Sequence, residues 1–140
     1  MRQTSIFMKE KLIITGDKGG VGTVLTKGLT EYEIIGVDRH SPQPNRDYLQ
    51  YQADITNPIE IHDLFAQIAP VPSMVHLAGD PRVDAPFESV LANNIKGTRN
   101  VYEGARRTGI EMVVFASSNH VTGAYEGFPP RLHEETNPPQ

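Results

Sequence analysis

Leu12-Ile13-Ile14-Thr15-Gly16-Asp17-Lys18-Gly19-Gly20-Val21-Gly22 is the stretch that decides the fold. An apolar run stops at a glycine, two more glycines follow at three-residue intervals, and a helix-like pattern begins at once. Gly16 permits a tight turn, Gly19 lets the backbone approach phosphates, and Gly22 lets helix and strand pack closely. N–H groups in the first helical turn, where Gly20 and Val21 lie, point at an incoming anion, and the helix dipole favours its charge. About 20 residues after the first glycine, Asp38 closes the next apolar run, Glu33-Ile34-Ile35-Gly36-Val37-Asp38, placed to accept bonds from both ribose hydroxyls of a dinucleotide. Three glycines are a weak signal; the acid at this distance makes it specific. Arg39 follows directly, suited to lie over adenine or to meet a 2′-phosphate, so NAD is the expected cofactor and NADP stays open.

Working outward, strand and helix patterns alternate. Lys11–Thr15 reads as a strand and Gly20–Leu29 as a helix with Val21, Val24, Leu25 and Leu29 on its apolar face. Glu33–Asp38 is a second strand, His40–Asp47 a loop, and Leu49–Ala53 a short third strand ending at Asp54. Asn57-Pro58-Ile59-Glu60 is a strong helix start, with Asn57 as cap and Glu60 reaching back. Ile61, Leu64, Phe65 and Ile68 then share one face. Ser73–Leu77 is a fourth strand. A long helix is expected from Phe87 to Thr108, stopped by Gly109, with Phe87, Val90, Leu91, Ile95, Val101, Tyr102 and Ala105 on its stripe. Glu111–Ala116 is apolar enough for a buried parallel strand. The pattern predicts an α/β fold: a doubly wound, Rossmann-like parallel sheet in the order 3-2-1-4-5, incomplete by one strand.

The chain has 140 residues, a net charge of −4 and no cysteine. That is one domain, with residues 1–10 read as an N-terminal extension and 11–140 as the nucleotide-binding domain. Met8 is an alternative start. The negative charge gives no general attraction to nucleic acid or anionic membranes. No apolar stretch approaches the roughly 20 residues that span a bilayer, and Met1–Glu10 lacks a secretion signal, so a soluble cytoplasmic protein is expected. No histidine or carboxylate cluster has metal-ligand spacing.

Several polar residues fall where chemistry would need them. Asn94 sits on the long helix in register with apolar neighbours, as an interior amide tying two loops or as part of an active site. Ser117 and Ser118 follow the fifth strand, at the carboxyl edge where open parallel sheets place ligands, although serines there also satisfy strand ends. Asn119 and His120 add an amide and an imidazole at the same rim. Arg106-Arg107, beside Glu103, reads as a solvated helix end favoured by the dipole.

Five stretches in order resemble the extended short-chain dehydrogenase/reductase family, the NAD-dependent epimerase/dehydratase group. They are Thr15-Gly16-x-x-Gly19-x-x-Gly22; Asp54-Ile55; His76-Leu77-Ala78-Gly79; Asn94-Ile95-Lys96-Gly97-Thr98; and Phe115-Ala116-Ser117-Ser118-Asn119-His120-Val121. The last looks most like uronate dehydrogenases. The resemblance implies that Asp54 and Ile55 contact adenine and that Leu77, Ala78 and Gly79 line the cofactor's mid-section. It also implies that Ser118 is the catalytic serine and that Asn119 and His120 contact a sugar or sugar acid. In such enzymes a tyrosine removes the hydroxyl proton while nicotinamide takes hydride, and a lysine four residues on lowers the tyrosine pKa.

None of the five tyrosines, Tyr32, Tyr48, Tyr51, Tyr102 and Tyr125, has a lysine four positions later. Family spacing puts the tyrosine about 25 residues after Ser118, beyond Gln140. The chain is therefore expected to be a short form or fragment, truncated before that pair, that binds cofactor with little hydride transfer of its own. The helix missing with it should leave apolar surface on strand five and invite association into homo-oligomers or aggregates. Three other functions fit parts of the pattern: a nucleotide-sugar epimerase or dehydratase, a non-catalytic NAD-binding module, and, remotely, a partitioning-type ATPase reading Lys18-Gly19-Gly20-Val21-Gly22-Thr23 as a deviant phosphate loop. The last lacks the lysine that should stand between Gly22 and Thr23.

Overall fold

Short apolar runs bounded by turn residues give five strands, and the 3.6-residue patterns between them give the helices that join them in parallel. The computed structural model describes residues 8–118; Asn119 and His120 lie outside the described residues. In chain order the elements are β1 (Lys11–Thr15), α1 (Gly20–Gly28), β2 (Glu33–Asp38), β3 (Leu49–Gln52), α2 (Pro58–Ile68) and β4 (Ser73–His76). There follow a helical turn α3 (Phe87–Ser89), a π-helical stretch Val90–Gly97, α4 (Thr98–Thr108) and β5 (Met112–Phe115). All neighbouring strands are parallel and the order is β3-β2-β1-β4-β5, as the crossover rules predict.

Alternation along the strands builds two cores. Ile13, Ile35, Val37 and Met74 point to the face covered by α2 and α4, where Ile61, Phe65, Val101 and Ala105 close on them. Leu12, Ile14 and Ile34 point the other way, against Leu25 and Leu29 of α1. Asn57 caps α2 as expected, its Oδ1 accepting from the backbone N–H of Ile59 and Glu60. Glu60 reaches further back than a capping box requires, to the Asp54 N–H at 3.0 Å. Gly109, at φ 75°, ends α4 in the left-handed conformation that glycine favours.

Three expectations need correction. Val21 and Val24 are 62 % and 68 % exposed, because only Leu25 of α1 and Leu29, just past its end, turn onto the sheet. The long helix is interrupted: π-helical winding from Val90 to Gly97 shifts the register, and Phe87, Ile95 and Tyr102 lie outside the buried stripe that Val101 and Ala105 keep. β5 is not a buried strand. It forms the edge of the described sheet, with Met112 and Val114 54 % and 52 % exposed, which agrees with the expected apolar surface on strand five.

Candidate dinucleotide site

The carboxyl ends of the strands open onto a cleft of about 1040 Å³. Gly16 turns the chain out of β1 at φ 73°, and a Cβ there would lie 2.9 Å from the Ala78 nitrogen. A side chain at Gly22 would collide with the Gly16 carbonyl oxygen, so α1 packs against the turn only through glycine. No side chain caps α1 at Gly19 and no acidic residue occupies its first turn. Its leading N–H groups therefore face the cleft without a competing anion.

Asp38 stands at the end of β2 with its side chain only 9 % exposed. Its Oδ1 accepts from the His40 backbone N–H at 3.0 Å and from the His40 ring Nδ1 at 2.7 Å. Its Oδ2 accepts a longer bond, 3.4 Å, from the Lys18 N–H. Burial pushes the Asp38 carboxyl up, but the His40 and Lys18 donors outweigh it and hold it below the usual carboxylate range. Asp38 is thus an ionised acceptor at the adenosine end. The Lys18 ammonium reaches the His40 carbonyl at 2.6 Å, spanning from the glycine loop to the segment after β2.

At the centre of the sheet, Thr15 and His76 fix the turn after β4. The Thr15 hydroxyl lies 3.2 and 3.3 Å from the Leu77 and Ala78 N–H groups and accepts from both. Its own proton then points at His76 Nδ1, 2.6 Å away. That leaves Nε2–H to donate to the Thr98 hydroxyl at 3.2 Å. Burial pushes the imidazole down to about 4, so it is neutral, stacked on Phe115 at 5.6 Å.

The next loop is pinned by Asn94. Its Oδ1 accepts the Asp80 N–H at 2.7 Å and its Nδ2 donates to the Asp80 carbonyl at 3.0 Å. Both bonds go to one loop rather than two, and the half-buried amide stands at the wall of the cleft. Asp80 in turn holds Arg82 through two bonds of 2.9 and 2.6 Å and accepts from the Ser89 hydroxyl. The Arg82 and Ser89 hydrogen bonds keep its carboxyl well below the usual range.

The expected residues converge. Gly16, Gly19, Gly20, Val21, Gly22, Asp38, Arg39, Asp54, Ile55, Leu77, Ala78, Gly79, Asn94 and Ser118 all line this one cleft. Sequence reasoning missed the partners that hold them: His40 on Asp38, Thr15 and His76 under the β4 turn, and the Asp80–Arg82 pair. It also missed Asp17, which is fully buried although it stands in the glycine loop. The only signal for Asp17 was a carboxylate where a phosphate loop gains nothing from one. Arg106 and Arg107 pair with Glu103 on the helix surface and take no part. Among the described residues no group of side chains is arranged to hold a metal.

A parallel sheet with a glycine turn after β1, an uncapped helix start and an acid ending β2 defines a dinucleotide-binding fold. The model of the NAD dependent epimerase/dehydratase family matches residues 12–140, and the chain belongs to that family. It is 36 % identical over 126 residues to an NAD-dependent glucose-6-phosphate dehydrogenase of Haloferax volcanii, covering 85 % of this chain and 47 % of the relative. It is likewise 36 % identical over 121 residues to a uronate dehydrogenase of Pseudomonas syringae pv. tomato, covering 83 % and 42 %. A mutant uronate dehydrogenase from Agrobacterium tumefaciens, solved in complex with NAD, superimposes with a TM-score of 0.71 at 32 % identity, covering 81 % of this chain and 43 % of that one. The chain thus spans less than half the length of these relatives. No helix among the described residues is long and apolar enough to cross a membrane.

Proposed function

We propose that this chain carries the NAD site of a sugar-oxidising dehydrogenase, with a hexuronic acid as the substrate of the complete enzyme. The observation that carries the NAD site is Asp38: an ionised carboxylate at the end of β2, in the same cleft as the uncapped start of α1; the sugar acid rests on the relatives alone. The diphosphate would rest on the N–H groups of Gly20, Val21 and Gly22, with the adenosine ribose on Asp38 in place of His40. Asp54 and Ile55 would flank adenine, and Leu77, Ala78 and Gly79 the middle of the cofactor. Bound NAD supplies the hydride acceptor; the residues here bind and orient it. Ser118 would hydrogen-bond the reacting hydroxyl, and Asn119 and His120 the sugar acid. Asp38 repels a 2′-phosphate, so NAD is preferred, although Lys18 and Arg39 leave NADP weak rather than excluded. Relatives named for uronate support a sugar acid over a nucleotide sugar. The protein works in the cytoplasm, without nucleic acid.

Calorimetric titration with NAD(H) is the test. Saturable binding is expected, reduced at least about tenfold in Asp38→Ala, because both ribose hydroxyls lose their acceptor. Folded protein without NAD(H) affinity, or Asp38→Ala with unchanged affinity, overturns the proposal. These 140 residues should show little or no hydride transfer, lacking any tyrosine followed four positions later by lysine; turnover comparable to a full dehydrogenase would contradict this. Titrating glucuronate and galacturonate against UDP-sugars in the longer protein separates a uronate dehydrogenase from an epimerase.

A further inference from the structure

Asp17 is the second residue of the glycine turn, and its side chain folds down beneath the loop. It is fully buried. Oδ2 accepts the Tyr48 phenol at 2.7 Å. Oδ1 is the one buried side-chain polar atom without a hydrogen-bond partner among the described residues. The slot that admits this carboxyl exists because β2 carries glycine at its centre: a Cβ on Gly36 would lie 2.5 Å from Asp17 Oδ2 and 2.7 Å from the Tyr48 ring. The Asp17 backbone packs against the first turn of α1, with its Cα only 2.7 Å from where a Gly22 side chain would begin. Asp17 therefore touches, through the backbone, the turn on which the diphosphate is proposed to rest.

An ionised carboxylate in such a place is doubly disfavoured. It leaves an oxygen unsolvated, and it places negative charge behind the loop that receives a phosphate anion. The charged groups around it are few. Asp38 at the end of β2 repels it, Lys18 in the same loop attracts it, and Tyr48 donates to it. Thr26 of α1 and Arg46 act on Tyr48 rather than on the acid. Burial is the largest influence and pushes the Asp17 carboxyl above the ordinary range, against the opposing Tyr48 bond, the Lys18 charge and Asp17's own backbone N–H. Burial, with the Asp17 bond, pushes the Tyr48 phenol up to about 12. The phenol thus keeps its proton and stays the donor, and Asp17 is the member of the pair that titrates.

Resting on the NAD reading above, we propose that Asp17 is a proton-linked positioning residue of the dinucleotide loop: cofactor binding places one solvent proton on its orphaned Oδ1. The neutral acid holds the glycine turn to Tyr48 and β2 while removing the charge that would oppose the diphosphate. The sign follows from linkage. The bound diphosphate favours protonated Asp17, so cofactor affinity is greatest where the acid is already neutral. Affinity falls as pH rises between the free-state and cofactor-bound pKa of Asp17, by up to about tenfold per pH unit, and levels off above both.

The experiment is NAD calorimetry on the chain from about pH 5 to about pH 8, in pairs of buffers with different ionisation enthalpies. Wild type is expected to take up as much as one proton per NAD and to lose affinity with rising pH. Asp17→Asn keeps an acceptor for Tyr48 but cannot ionise; it should lose that proton uptake and flatten the slope. Proton uptake or release by any other group persists in Asp17→Asn and is removed by difference. Tyr48→Phe leaves both carboxyl oxygens without the phenol and should move the same slope to higher pH. A purely structural role for Asp17 predicts an unchanged pH profile in Asp17→Asn. Wild type that binds NAD without proton uptake, or Asp17→Asn that keeps the full slope, overturns the proposal and leaves the NAD reading intact. Absence of NAD binding at every pH overturns that reading and this inference with it.

Discussion

The two faces of the sheet are written in the same apolar alphabet and finished differently. On one face α2 and α4 pack on each other and on the strands, burying Phe65, Ile61, Met74 and Val101 almost completely. On the other, α1 covers Leu12, Ile14 and Ile34, while Val24, Met112 and Val114 remain more than half exposed. The site depends on the unevenness in a specific way. The doubly covered face anchors the ends of β2 and β4, where Asp38 and Leu77 stand. The thinly covered face has room under the glycine turn for a carboxyl and a phenol.

If that contrast is energetic, truncation should separate the faces. Phe65→Ala removes a ring wedged between α2 and α4 and should cost about 3–5 kcal/mol in unfolding free energy, read from urea titration. A loss below about 1 kcal/mol would mean the doubly covered face is not the stabilising one.

The next effect runs through His76, held neutral between Thr15 and Thr98. Its folded pKa is pushed down to about 4 from an ordinary 6.5. Between these values the unfolded chain binds more protons than the folded one, so stability rises with pH across the window. The contribution is fully present above about pH 6.5 and is lost as pH falls toward 4, by about 3 kcal/mol in all. Thermal melts across that range should show the loss in wild type and a shallower one in His76→Asn. Equal slopes would assign the acid sensitivity to other groups.

How far the molecule could be read in advance follows the same division. Strand order, the glycine turn, Asp38 and the Asn57 cap were legible because each is a local pattern with one physical solution. Asp17 was not: its burial depends on the space above Gly36, nineteen positions away in the sequence and on another strand. Phe87 and Ile95 were misplaced because periodicity assumes 3.6 residues per turn, and the π-helical stretch Val90–Gly97 breaks that register. Val21 and Val24 were misplaced for a third reason. An apolar stripe states what a helix is able to bury, whereas the neighbours decide what it does bury.

Asn57→Ala sharpens the comparison at smaller scale. Removing the cap leaves the Ile59 and Glu60 N–H groups without the side-chain oxygen and frees Glu60 from its Asn57 contact. The cost should be about 1 kcal/mol, on the doubly covered face alone. NAD titration should be nearly unchanged, because Asp54 still meets Glu60 through its backbone N–H. A large loss of NAD affinity would mean that the cap, rather than the strand end, sets the adenine wall.

The smallest expected effect is the sharpest test of the thin face. Val114→Thr keeps a β-branched side chain on β5 while placing a hydroxyl where the surface is already half open to water. Stability should change by no more than about 0.5 kcal/mol, since little apolar area is lost. Binding of a hydrophobic dye should fall, and fall further when Val24→Thr is added, because both valines are more than half exposed. A stability loss approaching that of Phe65→Ala would show that this face is covered in solution, and the asymmetry between the faces would disappear.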